Sequence, residues 1–84
     1  MVPKDFVLNR RGKPPIVLEC TWAAGEFDPA NVRAFVRLYP QAPVFVVSHD
    51  VDRPFGRRYG QVSVRFIALS SLAETLLDVE KSER

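Results

Sequence analysis

The 84-residue chain has a single cysteine and a single histidine. Cys20 alone closes no intramolecular disulfide, which excludes a stapled secreted scaffold and makes a reducing cytoplasm the expected setting. His49 has no second histidine with which to build a familiar zinc site. No apolar run approaches the ~18 residues of a membrane span, and the start, Met1-Val2-Pro3-Lys4-Asp5, lacks the pattern of a signal peptide. A soluble protein with no membrane partner is therefore expected. There is no G-x-x-x-x-G-K sequence, so no phosphate-binding loop of that type lies within the chain. The formal net charge of +2 is too small to define a nucleic-acid binder by itself.

With 46% hydrophobic and 26% charged residues, the composition is that of an ordinary globular protein. The length fits one domain over residues 1–84 and excludes a second. The chain begins almost inside a strand, so a longer parent or an upstream element is expected. Its basic residues gather at Arg10, Arg11 and Lys13 and again at Arg53, Arg57 and Arg58. From Asp78 to Arg84 the charges alternate in sign, and that stretch is expected to fray.

Asp5-Phe6-Val7-Leu8 and Pro15-Ile16-Val17-Leu18-Glu19-Cys20-Thr21 are β-rich runs joined by a Gly12-containing turn, which predicts a hairpin. Asp28-Pro29 then supplies an N-cap and a proline at the first helical position. Val32, Phe35, Val36 and Tyr39 form one helical stripe, with Arg33 and Arg37 on another flank and Pro40 as the stop. Val44-Phe45-Val46-Val47 is a continuous apolar run suited to a central strand covered on both faces. The crossover from Thr21 to Val44 predicts that the two flanking strands are parallel neighbours. His49 to Gly60, with Pro54, Gly56 and Gly60, reads as a long loop. A strand from Gln61 to Ala68 follows, in which Arg65 suggests an edge position. Ser71 and Glu74 suggest a capping box for a last helix with Leu72, Ala73, Leu76 and Leu77 on its apolar face. The expected fold is a small mixed α/β sheet flanked by helices, in the order β-β-α-β-β-α.

The chemically unusual strand is Pro15 to Thr21. Alternation places Glu19 and Thr21 on the side of Val17, and Ile16, Leu18 and Cys20 on the other. A glutamate in an apolar run is costly to bury without a cation, a proton or several donors. With a three-residue turn at Arg11 to Lys13, Asp5 stands opposite Glu19. Facing carboxylates repel, and a hard divalent cation such as Mg2+ or Mn2+ would reconcile them. The alternative is a register one residue off, with Asp5 towards the edge and Glu19 paired to an arginine or exposed.

Asp5, the short Gly-containing turn and the strand ending Glu19-Cys20-Thr21 resemble the core of the PD-(D/E)XK nuclease superfamily. More closely, they resemble the nuclease-like domain of unknown function at the C-terminal end of many bacterial AAA-type ATPases. The resemblance spans almost the whole chain, but only Asp5, the apolar strand and Glu19 are specific. It implies a restriction-endonuclease-like core, with Asp5 and Glu19 as metal-ligand acids and the Cys20 backbone carbonyl as a further ligand. Thr21 falls where the family has the lysine that positions or activates water and stabilises developing negative charge, which a neutral hydroxyl does not do through charge. The expected function is a degenerate, non-catalytic module acting in nucleic-acid or protein binding. The alternatives are an active divalent-metal endonuclease using Asp5 and Glu19, and a pure assembly domain that self-associates.

Arg53, Arg57, Arg58 and Tyr59 interleave bases with aromatics, a composition that grips phosphates and stacks on the bases of DNA or RNA. The competing reading tucks Phe55 and Tyr59 into the sheet as anchors, or uses the loop for protein. His49 beside Asp50, with Asp52 just beyond, reads first as a structural strand end, and Cys20 as a small core residue. Trp22 either covers the acidic face or fills the core.

Overall fold

A computed structural model of the protein describes the backbone of residues 4–82 and the side chains of residues 6–81. The chain opens with the expected antiparallel hairpin, β1 (Lys4–Arg10) and β2 (Lys13–Thr21). Its turn is Arg11-Gly12, one residue shorter than the spacing predicts, and Gly12 takes a φ of 70° that a side chain would disfavour. A register shift between Leu8 and Arg10 restores the missing residue, so Asp5 does stand opposite Glu19.

Asp28 then starts the helix. Its Oδ1 accepts the Ala30 N–H at 3.0 Å, Pro29 is already helical at φ −61°, and α1 runs Ala30–Leu38. The crossover returns the chain to β3 (Val44–Ser48), which pairs parallel with β2 and is buried at every residue. The chain is a small α/β domain with a five-stranded mixed sheet, ordered β1-β2-β3-β5-β4, and β3 is central as its apolar run predicts.

The element order differs from expectation at the segment read as a long loop. Residues 55–59 form a strand, β4 (Phe55–Tyr59), paired antiparallel with β5 (Val62–Ile67). Pro54 and Gly56 disguise it, yet Gly60, at φ 64°, occupies the position where a two-residue type II′ hairpin turn takes glycine. The extra strand makes β4 the edge and corrects the reading of Arg65. β5 lies between β3 and β4, and Arg65 is exposed within the sheet, opposite Gly56.

Two cores cover the two faces. On one, Val17, Val44, Val46, Val62, Val64 and Phe66 are joined by Val32, Phe35 and Val36 of α1. On the other, Ile16, Leu18, Phe45, Val47 and Ile67 are covered by Leu72, Leu76 and Val79 of α2 (Leu72–Ser82). A 3-10 turn, Leu69–Ser71, leads into α2. Leu77, expected on the buried side, is 59% exposed, because Leu72, Leu76 and Val79 already complete an i, i+4, i+7 stripe. α2 also runs past Asp78, the expected start of fraying, and Glu80 meets Arg10 at 3.7 Å and Lys13 at 3.9 Å. No helix among the described residues is long and apolar enough to cross a membrane.

Phe66 joins the two ends of the first core. It is 1% exposed, meets Phe27 edge-on at 5.8 Å and stacks on Phe55 at 4.8 Å. Phe66→Ala is expected to lower unfolding free energy by about 3–5 kcal/mol. Phe55→Ala, on the exposed edge, should cost less than half of that; urea titration followed by circular dichroism measures both.

Candidate functional site

β2 brings three of the predicted site residues together, and its neighbours decide their surroundings. Glu19 is at 0% exposure, with Val17 along the strand and Val46 across from it on β3. Thr21 is buried one step further on, beside Ser48. Its hydroxyl donates to the Ala23 carbonyl at 3.2 Å, while the Ser48 hydroxyl donates to the Thr21 carbonyl at 3.4 Å. The Thr21 hydroxyl is therefore part of the fold of the strand end. Cys20 turns its side chain to the α2 core, and its backbone lies between Lys4 of β1 and Val47 of β3 in the sheet. The Asp5 backbone pairs with Glu19, and its side chain lies outside the described residues.

A hydrated divalent cation takes several oxygen ligands and keeps open positions for water. The described part of this site offers one carboxylate, fully buried between two valines, and a threonine hydroxyl already engaged with backbone. Among the described residues, no group of three or more His, Cys, Asp or Glu side chains is placed to hold a metal. These residues do not by themselves make up a hydrated metal shell.

Beyond the strand end, Asp50, Glu26 and His49 serve local structure, while Asp52 is exposed. Asp50 Oδ1 accepts the Ala24 N–H at 2.9 Å, and the Glu26 carboxylate accepts the Ala23 N–H at 3.0 Å. Trp22 neither fills the core nor covers the acidic face. It is 53% exposed and stacks on the His49 ring at 4.4 Å.

β4 separates the basic residues that sequence grouped together. Phe55, Arg57 and Tyr59 alternate onto the α1 face, opposite Phe66, Val64 and Val62, whereas Arg58 lies opposite Ser63 on the α2 face. Arg53 is exposed just before the strand. Both aromatics act as anchors: Phe55 stacks on Phe66, and Tyr59 meets Phe27 at 5.5 Å. The Arg57 guanidinium sits over the Phe55 ring at 5.6 Å, and Arg58 Nε donates to the Gly60 carbonyl at 3.1 Å, bracing the turn. On the α1 side, Arg33 and Arg37 line one groove together with Tyr59 and Gly60. Sequence reasoning placed these two arginines on a helix flank without connecting them to β4. The available signal was the distribution of acids, for no Asp or Glu occurs between Asp28 and Asp50, nor between Asp52 and Glu74.

Comparison with known proteins returns no matching family model, no matching curated protein and no matching solved structure.

Thr21→Val keeps the shape of the side chain and removes the hydroxyl. It should lower stability by about 1 kcal/mol, with an unchanged circular dichroism spectrum. His49→Ala should shift the emission of the single tryptophan to longer wavelength, because the ring loses its stacked cover.

Proposed function

We propose that the chain is a non-catalytic module of the PD-(D/E)XK nuclease type, related to the domain at the end of bacterial ATPases, and that it acts by binding. The unit β1-β2-α1-β3, with Asp5 opposite Glu19, supports the comparison with that family's core. In this reading β5 and α2 belong to the β-β-α-β-β-α core, and β4 is an addition to it. One observation carries the absence of catalysis. Thr21, in place of the lysine, is buried and donates to the Ala23 carbonyl, next to a Glu19 carboxyl removed from solvent. Neither group is presented to an attacking water or a scissile phosphate.

Incubation of the protein with linear DNA and with RNA in millimolar Mg2+ or Mn2+ should leave both intact, and Mn2+ should leave the melting temperature unchanged. Metal-dependent cleavage that disappears in Glu19→Gln, or a Mn2+-induced rise in melting temperature lost in the same variant, would establish the active nuclease instead.

A second reading, self-assembly, is favoured by β1. This edge strand exposes Phe6 by 46%, Val7 by 43% and Leu8 by 37%, on both faces of the sheet. An edge that carries apolar side chains is a template for pairing. Under this reading the wild type elutes as a dimer from a sizing column and Val7→Lys as a monomer; a monomeric wild type at high micromolar concentration removes it.

A further inference from the structure

The sheet ends at β4 in an open border, for among the described residues this strand has a neighbour on one side only. Tyr59 and Val62 flank the two-residue turn and exchange both of their hydrogen bonds, after which bonded and non-bonded pairs alternate along the ladder. Phe55, Arg57 and Tyr59 therefore bond to β5. Gly56 and Arg58 direct their N–H and C=O groups out of the sheet.

The charge on this border has one sign. Arg57 lies over the Phe55 ring on the α1 face, while Arg58, opposite Ser63, and Arg65, opposite Gly56, stand on the α2 face. All three arginines are exposed, and none takes part in an ion pair among the described residues. No carboxylate occurs in the chain between Asp52 and Glu74.

Gly56 sets the shape of the border. Unlike Gly12 and Gly60 it has no positive φ, and a Cβ there would meet only the Val64 carbonyl oxygen at 3.8 Å, an ordinary contact. The fold thus does not require glycine at this position. Glycine inside a strand weakens it and often marks the close approach of another backbone. Here it leaves a gap between Arg65 and the border, at a depression of about 490 Å3 lined in part by Phe45, Arg65, Ser63 and Gly56.

We infer that β4 captures an acidic, extended segment of a partner polypeptide, which adds to the five-stranded sheet as a further strand. The inference rests on the binding part of the function proposed above, and names its partner. A strand bonded to Gly56 and Arg58 sends successive side chains to opposite faces, so adjacent carboxylates meet Arg57 on one face and Arg58 and Arg65 on the other. A phosphodiester chain fits this border poorly. The arginines stand on both faces of the sheet, and between them lie alternating donors and acceptors that another polypeptide backbone satisfies.

The probe is a fluorescein-labelled ten-residue peptide of paired glutamates separated by single valines, followed by anisotropy with the full chain at 50 mM NaCl. The wild type should bind it, and bound peptide should slow amide exchange at Gly56 and Arg58 at least tenfold. The combined variant Arg57→Gln, Arg58→Gln should bind at least tenfold more weakly. Arg11→Gln, which removes the same charge at the exposed β1–β2 turn, should change affinity less than twofold. Gly56→Pro removes one outward donor and no charge, and should also weaken binding at least tenfold. The same peptide with proline for each valine keeps its charge, loses its strand, and should not bind the wild type. No binding by the wild type, equal losses from Arg11→Gln and from the β4 variants, or undiminished binding of the proline peptide would each overturn the assignment. An oligothymidylate of equal charge that competes as strongly as the labelled peptide's unlabelled form would overturn it in favour of a nucleic acid. Metal-dependent cleavage, which would remove the non-catalytic reading, is scored without the peptide, so the two fail separately.

Discussion

The parallel pairing of β2 with β3 is the contact on which the rest of the fold depends. It forces the chain to cross over between the two strands, and α1 is that crossover. Once α1 covers one face, the apolar residues of the other, Ile16, Leu18, Phe45 and Val47, need a cover of their own. β5 extends the sheet parallel to β3, and the chain leaving β5 delivers α2 to that second face. The uninterrupted burial of β3 follows from the same arrangement, since it has strands on both sides and a helix over each face.

Glu19 lies in the middle of this pairing, where each neighbour is fixed by more than one contact. A carboxyl at 0% exposure between Val17 and Val46 gains nothing from bulk water. Its position is therefore a chemical statement in itself, for a strand that only had to fill a core would place a valine there. Thr21 and Ser48, both buried at the same strand ends, continue the polar line. Their hydroxyls go to backbone carbonyls, which turns that line into a brace for the exits of β2 and β3.

Much of this was legible in the residues. The hairpin, the start of α1 at Asp28-Pro29, the parallel crossover and the central β3 all follow from local rules with strong signals, whereas Asp5 reaches Glu19 through a shorter turn and a register shift that the spacing does not reveal. The missed strand shows where such rules weaken. In Arg53-Pro54-Phe55-Gly56-Arg57-Arg58-Tyr59, two turn-forming residues outweigh the alternation of Phe55, Arg57 and Tyr59, and the strand is stabilised by Phe66, a residue distant in sequence. The same error hid the geometry of the basic residues. Read as a loop, Arg57 and Arg58 form one cluster; read as a strand, they belong to opposite faces, and the groove beside Tyr59 is lined instead by Arg33 and Arg37. The place of the last two depends on how α1 lies over the sheet, which no local pattern specifies.

The two outer strands of the sheet are chemically unlike. β1 shows phenylalanine, valine and leucine, while β4 carries consecutive arginines at Arg57 and Arg58. Like charges in adjacent strands repel, so two β4 edges are poor partners for each other. If copies pair through β1, a sheet with two such unlike borders is prolonged only once. Two copies joined through β1 would present arginine at both outer margins, and growth would halt at a closed pair with two-fold symmetry instead of continuing into a fibre.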